Sequence, residues 1–366
     1  EKARIFRKSW LYVGRIEEFA NPGDYLVRAI EPADASVLLA RGRDGKIRAF
    51  HNVCSHRHAR LVWDERGQAR NFTCKYHGWG FALNGELRNV PDAESFFDLD
   101  TKACALSAIR CEEWRGFIFI NFAIEPVETL DQFMAPIAEK LSDHAFAGCN
   151  DHVMLSAEVD VNWKAMLDNF QETYHLGFIH QRTVGDRGCA EGNPFGHPMS
   201  FDFFERHRHM SIWGNPGHQP APIRALAGSF GGVSGAGAAQ QTAHYQTIRP
   251  ANWQLDVHGI FPNLLIEVAP TFFYTIEVMP LGVDRTRWTA RMFLPPAENA
   301  GQRFAREYNI AAFRDTVAED IAVLQTLQSS MASHAKPVIQ FQAHEVLCRH
   351  TYEMIDRAVV DPVAAE

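Results

Sequence analysis

In the first third of the chain, apolar and polar positions alternate in short runs at 24–30, 36–40, 47–53 and 116–122, with Asp44-Gly45 and Asn84-Gly85 among the intervening turns. A period of two broken by such dipeptides predicts a small all-β domain. Ahead of it, 2–19 reads as a short amphipathic helix followed by a Trp-Leu-Tyr-Val segment, stopping at the turn Asn21-Pro22-Gly23-Asp24. Beyond Pro126 the period lengthens: Leu130, Met134, Ile137 and Leu141 recur at three- and four-residue steps and predict a helix. Residues 153–161 then read as a strand, and 163–176 as a helix that Gly177 terminates. The β-rich runs 259–268, 272–279 and 287–294, each bounded by Pro or Gly, predict an antiparallel sheet, and helices follow at 300–331 and 344–359. The segment 225–239, ALAGSFGGVSGAGAA, has side chains too small to build a core and reads as a loop, either an active-site lid or a surface linker. The expectation is an α+β chain of two domains: all-β over 22–125, and an antiparallel sheet with helices over 1–21 and 126–366.

Composition narrows the partners. A chain of 366 residues is long enough for two domains and a sizeable core, and its net charge of −8, with no stripe of Lys and Arg, speaks against nucleic acid. Seven cysteines, an odd number scattered along the chain, suit a reducing compartment better than a disulfide scaffold. No apolar run approaches the length of a membrane span, and the first residues do not resemble a signal peptide, so a cytoplasmic location without membrane association is expected.

The densest chemistry lies within 51–80, HNVCSHRHARLVWDERGQARNFTCKYHGWG. Cys54 and His56 are separated by one residue and Cys74 and His77 by two, with seventeen residues between the pairs. Two Cys plus two His admit a zinc site or a Rieske cluster, in which imidazoles replace thiolates on one of two irons. Zinc fingers usually put two Cys in one knuckle and two His in the other. Here each knuckle carries one of each, which fits a cluster whose irons have unlike ligands. Tyr76 and Trp79 are placed to shield it, and the loop amides to hydrogen-bond its sulfurs.

A second group of ligand types lies in DNFQETYHLGFIH, residues 168–180. On a helix, Glu172 and His175 face the same way, and Gly177 allows the chain to bring His180 back toward His175. Two neutral histidines and one carboxylate leave open positions on non-haem Fe(II) for oxygen and substrate. The long C-terminal helix offers Asp315, Glu319 and Asp320 as the third ligand. Phe313, Val317, Leu324, Leu327 and Met331 form an apolar stripe on which Asp320 falls, while Asp315 and Glu319 fall on the solvated side. A carboxylate on a buried face needs a partner, a salt bridge or a metal, so Asp320 is the candidate.

C-x-H-R, C-x-x-H-G-W, N-F-x-E-x-Y-H-x-x-x-x-H and a late Asp in a long helix, in that order, resemble the catalytic α subunits of the Rieske non-haem iron, or ring-hydroxylating, oxygenases. One departure is His58, where the family usually has Gly. The resemblance implies a Rieske domain with a two-iron two-sulfur cluster on Cys54, His56, Cys74 and His77, beside a helix-grip catalytic domain with one Fe(II) on His175, His180 and Asp320. It also implies head-to-tail homotrimers, with or without a small β subunit, in which one subunit's cluster sits near its neighbour's iron. Glu172 matches the acidic residue that bridges the two centres, and Asn169, one turn earlier, supports that network or simply packs. Electrons would come from NADH or NADPH through a partner reductase, directly or by a ferredoxin, for use with O2 on a small organic substrate.

The expected reaction is hydroxylation or dihydroxylation of a small aromatic compound or aromatic carboxylate. The alternative within the family is a monooxygenase or N-demethylase of a quaternary ammonium compound, and the alternative outside it is a Rieske electron carrier without catalysis. An aromatic cage would favour the cation and a pocket Arg the carboxylate. The sequence offers both, in its many Phe residues and in the run Arg206, His207, Arg208 and His209.

Overall fold

The computed structural model describes residues 1–144, 146–149, 151–230 and 247–360. The chain divides into two compact units, Glu1–Phe133 and the residues from Met134 onward, the boundary falling inside helix α1 (Leu130–Ser142).

The strands of the first unit are β1 (Leu11–Arg15), β2 (Asp24–Ile30), β3 (Ala35–Arg41), β4 (Ile47–His51), β5 (Arg66–Gln68), β6 (Phe72–Thr73), β7 (Gly80–Phe81), β8 (Leu87–Asn89), β9 (Ala108–Trp114) and β10 (Phe117–Asn121). Among the described residues they form a seven-stranded sheet, β1-β10-β9-β4-β3-β2-β5, and a three-stranded one, β6-β7-β8. All four strands expected from alternation are present, whereas β1 and β5 to β9 fall outside those runs. Within 2–19 the short helix is one wide helical turn, Lys2–Phe6, and the Trp-Leu-Tyr-Val segment leads into β1, whose Leu11 and Tyr12 pair with Ile120 and Phe119. Residues 1–21 therefore belong with the first unit, not the second. The physical reason is that β1 is buried on every residue, so it shows no alternation to read.

The two Cys-His knuckles are built alike on loops leaving the β4 end and the β6 end. His58 N–H donates to the Cys54 carbonyl and Gly78 N–H to that of Cys74, both at 3.0 Å. Cys54 N–H meets the Ala59 carbonyl and Cys74 N–H the Trp79 carbonyl, both at 2.8 Å. The fifth position of each loop needs a left-handed backbone, with φ +58° at His58 and +73° at Gly78. An L side chain adopts that region at a cost, which explains why glycine suits it. His58 departs from the family pattern in residue type and keeps the turn.

In the second unit the strands are β11 (Asp151–Val159), β12 (Ser200–Phe204), β13 (His207–Trp213), β14 (Trp253–Ile260), β15 (Leu264–Val268), β16 (Phe273–Pro280) and β17 (Thr286–Leu294). They make one antiparallel sheet, β11-β17-β16-β15-β14-β13-β12. The run expected over 259–268 is in fact two strands meeting at a turn, β14 and β15, and the Arg206–His209 stretch is mostly β13. The helices are α2 (Trp163–Asp168), α3 (Leu176–Ile179), α4 (Gly185–Gly188), α5 (Pro222–Ser229), α6 (Ala300–Met331) and α7 (Val346–Val360). Within the loop expected at 225–239, residues 225–229 belong to α5, and 231–239 lie outside the described residues.

The helix expected over 163–176 ends at Asp168 instead. Glu172 supplies the reason: its Oε2 accepts the backbone N–H groups of Tyr174 at 2.5 Å and His175 at 3.2 Å, capping the turn that opens α3. A side chain that captures amides in this way competes with a continuous helix. Gly177 lies inside α3 rather than ending a helix. Helix α6 spans the range read from the sequence, and its buried residues Val317, Asp320 and Leu324 continue the expected stripe, which fades at the exposed Met331.

Replacing His58 with Gly should raise thermal stability by about 1 kcal/mol, and replacing it with Val should lower it by at least as much, because a β-branched residue fits the left-handed region worst. Thermal melts of the two variants check this; equal melting temperatures would mean the loop relaxes out of that backbone region.

Candidate metal centres and active-site cavity

In the first unit the sulfurs of the knuckles are buried, with Cys54 at 1% and Cys74 at 2% exposure, while His56 and His77 lie nearer the surface. The two imidazoles approach each other at 4.6 Å between ring centroids. Trp79 is buried and stacks on His56 at 4.9 Å, and Phe96 meets both rings edge-on at 5.6 Å. Tyr76 covers His77 at 3.7 Å but is itself 59% exposed, so only Trp79 gives the expected shielding from within the fold. Backbone N–H groups of His56 and Arg57 are directed at the Cys54 sulfur. Two inward sulfurs, two outward imidazoles and loop amides aimed at sulfur fit an iron-sulfur cluster of mixed ligation.

In the second unit, His175 and His180 flank α3, and Asp320 reaches them from α6. One nitrogen or oxygen from each of the three lies within 4.8 Å of the others. His180 Nε2 is 3.0 Å and His175 Nε2 is 3.8 Å from Asp320 Oδ1. That oxygen is buried and has no hydrogen-bond partner. The opposite nitrogen of each ring is held by a carboxylate: His175 Nδ1 by Glu172, in a short hydrogen bond, and His180 Nδ1 by Glu319 at 2.8 Å. Glu319 also accepts from the Thr183 hydroxyl at 2.6 Å. Glu319 is thus part of the site and not the solvated residue expected from the stripe, whereas Asp315 is exposed and paired with Arg314. Gly185 packs against this assembly so closely that a Cβ there would meet the His180 carbonyl at 2.9 Å. Burial alone would lower the His180 imidazole's pKa, but Asp320 and Glu319 outweigh it and raise the value. Two Nε2 atoms and one partnerless oxygen converging, with both Nδ1 atoms engaged, is the donor set of a two-histidine, one-carboxylate metal site.

The site opens into a cavity of about 360 Å³ between α6 and the sheet. Phe272, Tyr274 and Phe313 form part of its wall, with ring centroids 5.9 Å apart for Phe272 and Tyr274 and 4.9 Å for Tyr274 and Phe313. Glu267, directly opposite Tyr274 on the neighbouring strand, shares a hydrogen bond with its hydroxyl. Burial pushes the Glu267 carboxyl up to about 8. Arg187 and Arg224 also line the cavity, and sequence reasoning missed both. Nothing in their flanking residues distinguishes them from surface cations.

The Arg206–His209 run plays no part in this wall. Arg208 is fully buried on β13, donates to Gln171, and has its pKa lowered by burial to about 10. His209 lies against His258, which in turn meets His144 at 2.8 Å. His144, His258 and Asp256 also bring possible ligand atoms together, but Asp256 there takes hydrogen bonds from Ser211 and Trp253 and an ion pair with Arg249 at 3.1 Å. Asn169 borders the cavity as the residue ending α2, and its buried side-chain nitrogen has no hydrogen-bond partner. It does not touch Glu172 through any hydrogen bond among the described residues.

Comparison with known proteins places these features. Residues 9–107 match the Rieske [2Fe-2S] domain, and residues 146–361 match the ring hydroxylating alpha subunit (catalytic domain). The carnitine monooxygenase oxygenase subunit of Escherichia coli (strain K12) is 38% identical over 184 residues, 49% of this chain and 48% of that protein. The large oxygenase component of the naphthalene 1,2-dioxygenase system of Ralstonia sp is 36% identical over 194 residues, 50% of this chain and 42% of that protein. The chain thus covers about half the length of these relatives. Among solved structures, a quaternary ammonium Rieske monooxygenase superposes with a TM-score of 0.76 at 21% identity, over 98% of this chain and 90% of the other. Naphthalene 1,2-dioxygenase from Rhodococcus sp. gives 0.76 at 20% identity over the same shares. These last two likenesses concern the fold. With its catalytic-domain match spanning 146–361 and a Rieske domain before it, the chain belongs to the ring-hydroxylating α-subunit family.

Proposed function

We propose that this protein is the oxygenase component of a multicomponent system, with an iron-sulfur cluster on Cys54, His56, Cys74 and His77 and a single Fe(II) on His175, His180 and Asp320. The observation that carries this reading is the convergence of two carboxylate-held histidines on the partnerless Asp320 oxygen. When bound, the cluster supplies electrons and the iron supplies open positions for O2. The protein's own residues do the rest. Glu172 and Glu319 accept Nδ1–H from the two rings, which fixes the tautomer that presents Nε2 and makes both imidazoles better donors. Thr183 holds Glu319 in place, and the cavity wall provides the space in which a substrate can lie beside the reacting centre. Asn169 is a supporting residue through packing.

The expected partners are an electron-donating reductase, directly or through a ferredoxin, and two further copies of the chain. A relative's structure is described as giving insight into inter-subunit electron transfer. Glu172, already bound to His175, is the residue we assign to the bridge toward a neighbouring subunit's cluster.

For the substrate, the quaternary ammonium alternative is better supported than the aromatic hydrocarbon. Phe272, Tyr274 and Phe313 make an aromatic wall of the kind that holds an onium group. The carnitine monooxygenase relative points the same way.

Asp320→Ala should strip the mononuclear iron while the cluster absorption persists, and Cys74→Ser should do the reverse. Glu319→Ala should weaken iron retention about 10- to 100-fold, as loss of a ligand-orienting carboxylate does, and Asp315→Ala should leave it unchanged. Metal analysis and visible spectra decide; full iron in the Asp320 variant would remove that residue from the site.

Glu172→Gln should load both centres yet turn over at least tenfold more slowly. The readout is reoxidation of the pre-reduced cluster with substrate and oxygen present, and a rate equal to the parent's would leave Glu172 as a ligand support alone.

Oxygen uptake should be stimulated by trimethylammonium compounds and not by unsubstituted aromatic hydrocarbons. The opposite order would restore the aromatic reading.

A further inference from the structure

Arg208 is a charged residue for which the oxygenase reading has so far no use. It is fully buried on β13, and among the described residues its two terminal nitrogens have no hydrogen-bond partner. Gly259 faces it on β14, and a Cβ there would stand 2.8 Å from the Arg208 Cγ, so the side chain lies flat across a strand that glycine keeps low. That path brings Nε to Oε1 of Gln171, to which it donates in a short hydrogen bond, and Gln171 is itself fully buried. Burying a cation on a neutral partner is costly, and an apolar side chain would fill the same space at less cost in stability. The apolar side chain would lack the direction of a charge-assisted hydrogen bond.

The position of that hydrogen bond gives the direction a meaning. Gln171 closes the turn that follows α2, its N–H donating to the Asp168 carbonyl at 2.8 Å. Helix α7 reaches the other end of the same turn: the Tyr352 hydroxyl donates to Asp168 Oδ2 at 2.9 Å, and the Cys348 thiol to the Asp168 carbonyl at 3.7 Å. The turn is thus gripped at both ends, by a strand and by a helix that are distant in sequence. Glu172 is the next residue, and its carboxylate holds the amides of Tyr174 and His175 together with the His175 ring. One planar peptide, about 3.8 Å between Cα atoms, separates it from the gripped Gln171 and leaves little slack.

We propose that Arg208, Gln171 and Tyr352 are positioning residues, a clamp from β13 and α7 on the turn 168–171 that sets the Glu172 carboxylate against the His175 ring and the following amides. This rests on the bridging role assigned to Glu172 above and adds to it what holds that residue in place. The three act through Glu172 and not on the metal. A residue that hands electrons to a site while its far partner belongs to another chain needs a rigid mount within its own chain, because a group's reach is only as exact as the side chains that support it. The clamp also accounts for the cost of the buried guanidinium: Arg208 supplies a directed donor at the one residue next to Glu172 that turns fully inward.

The test uses the metal-loaded protein and two readouts: amide hydrogen exchange of the segment 173–176, followed by mass spectrometry, and reoxidation of the pre-reduced cluster by oxygen with (3-carboxypropyl)trimethylammonium as probe. Gln171→Met keeps the volume and removes the acceptor. Exchange at the amides of 174 and 175 should rise about tenfold while strands β14 to β16 exchange at the parent's rate, and reoxidation should slow about tenfold. Gln171→Glu, which gives Arg208 an acceptor again, should return both readouts toward the parent. Tyr352→Phe removes only the hydroxyl on Asp168, should move the same amides in the same direction, and serves if the Gln171 variants do not fold. Parental exchange at 174 and 175 in the folded variants overturns the clamp, and so does a rise spread over the whole second unit, which is what a merely structural role gives. The two readouts separate the readings. Fast exchange with parental reoxidation, in both Gln171→Met and Glu172→Gln, sinks the bridge and keeps the clamp, whereas unchanged exchange beside a slow Glu172→Gln variant sinks the clamp and keeps the bridge.

Discussion

A carboxylate on the inner face of a long helix must be answered by something, and in this chain Asp320 is answered by two imidazoles that are themselves pinned from behind. Remove either pin, Glu172 or Glu319, and a ring can rotate or exchange its tautomer, so that the Nε2 atoms no longer share a target. The surrounding architecture serves that alignment. Helix α6 delivers Asp320 and Glu319 from adjacent positions, one to the metal side of His180 and the other to its rear. The sheet behind it supplies the stiff wall against which the helix is held.

How much of this the sequence shows depends on whether a residue's environment leaves a mark on its neighbours. Asp320 was legible because it interrupts an apolar stripe, and the same stripe misplaced Glu319. A position at the border of a helix face is read as solvated, yet Glu319 is covered from one side by His180 and Thr183, which come from a distant segment. The Cys-His knuckles were legible because ligand spacing is local. The end of α2 was not, since it depends on Glu172 turning its side chain onto the following amides, and helical periodicity carries no trace of that choice.

The strands follow a similar rule. Half-buried strands such as β2 and β4 alternate and were found, whereas β1, buried throughout, showed only as an apolar Trp-Leu-Tyr-Val segment without a period. The cavity's arginines illustrate the limit most sharply. Arg187 and Arg224 lie in short helices whose sequences do not mark them as cavity residues, and only the folded chain reveals that they line it. Conversely, the Arg206–His209 run looked like a pocket and is instead a buried strand.

The break after Asp168 has a consequence for how chain length can vary in proteins built on this plan. From Glu172 to Gly185 the segment is internally braced: Glu172 grips the amides of 174 and 175 together with the His175 ring, and Gly185 abuts the carbonyl of His180. An inserted or deleted residue anywhere in that stretch would pull one histidine out of line. Between Asp168 and Glu172 the turn is tied to other elements instead, through the buried Gln171 side chain to Arg208 on β13 and through Asp168 to Tyr352 on α7. Divergent descendants of one ancestral gene should therefore keep a fixed count of residues from the acidic residue to the second histidine.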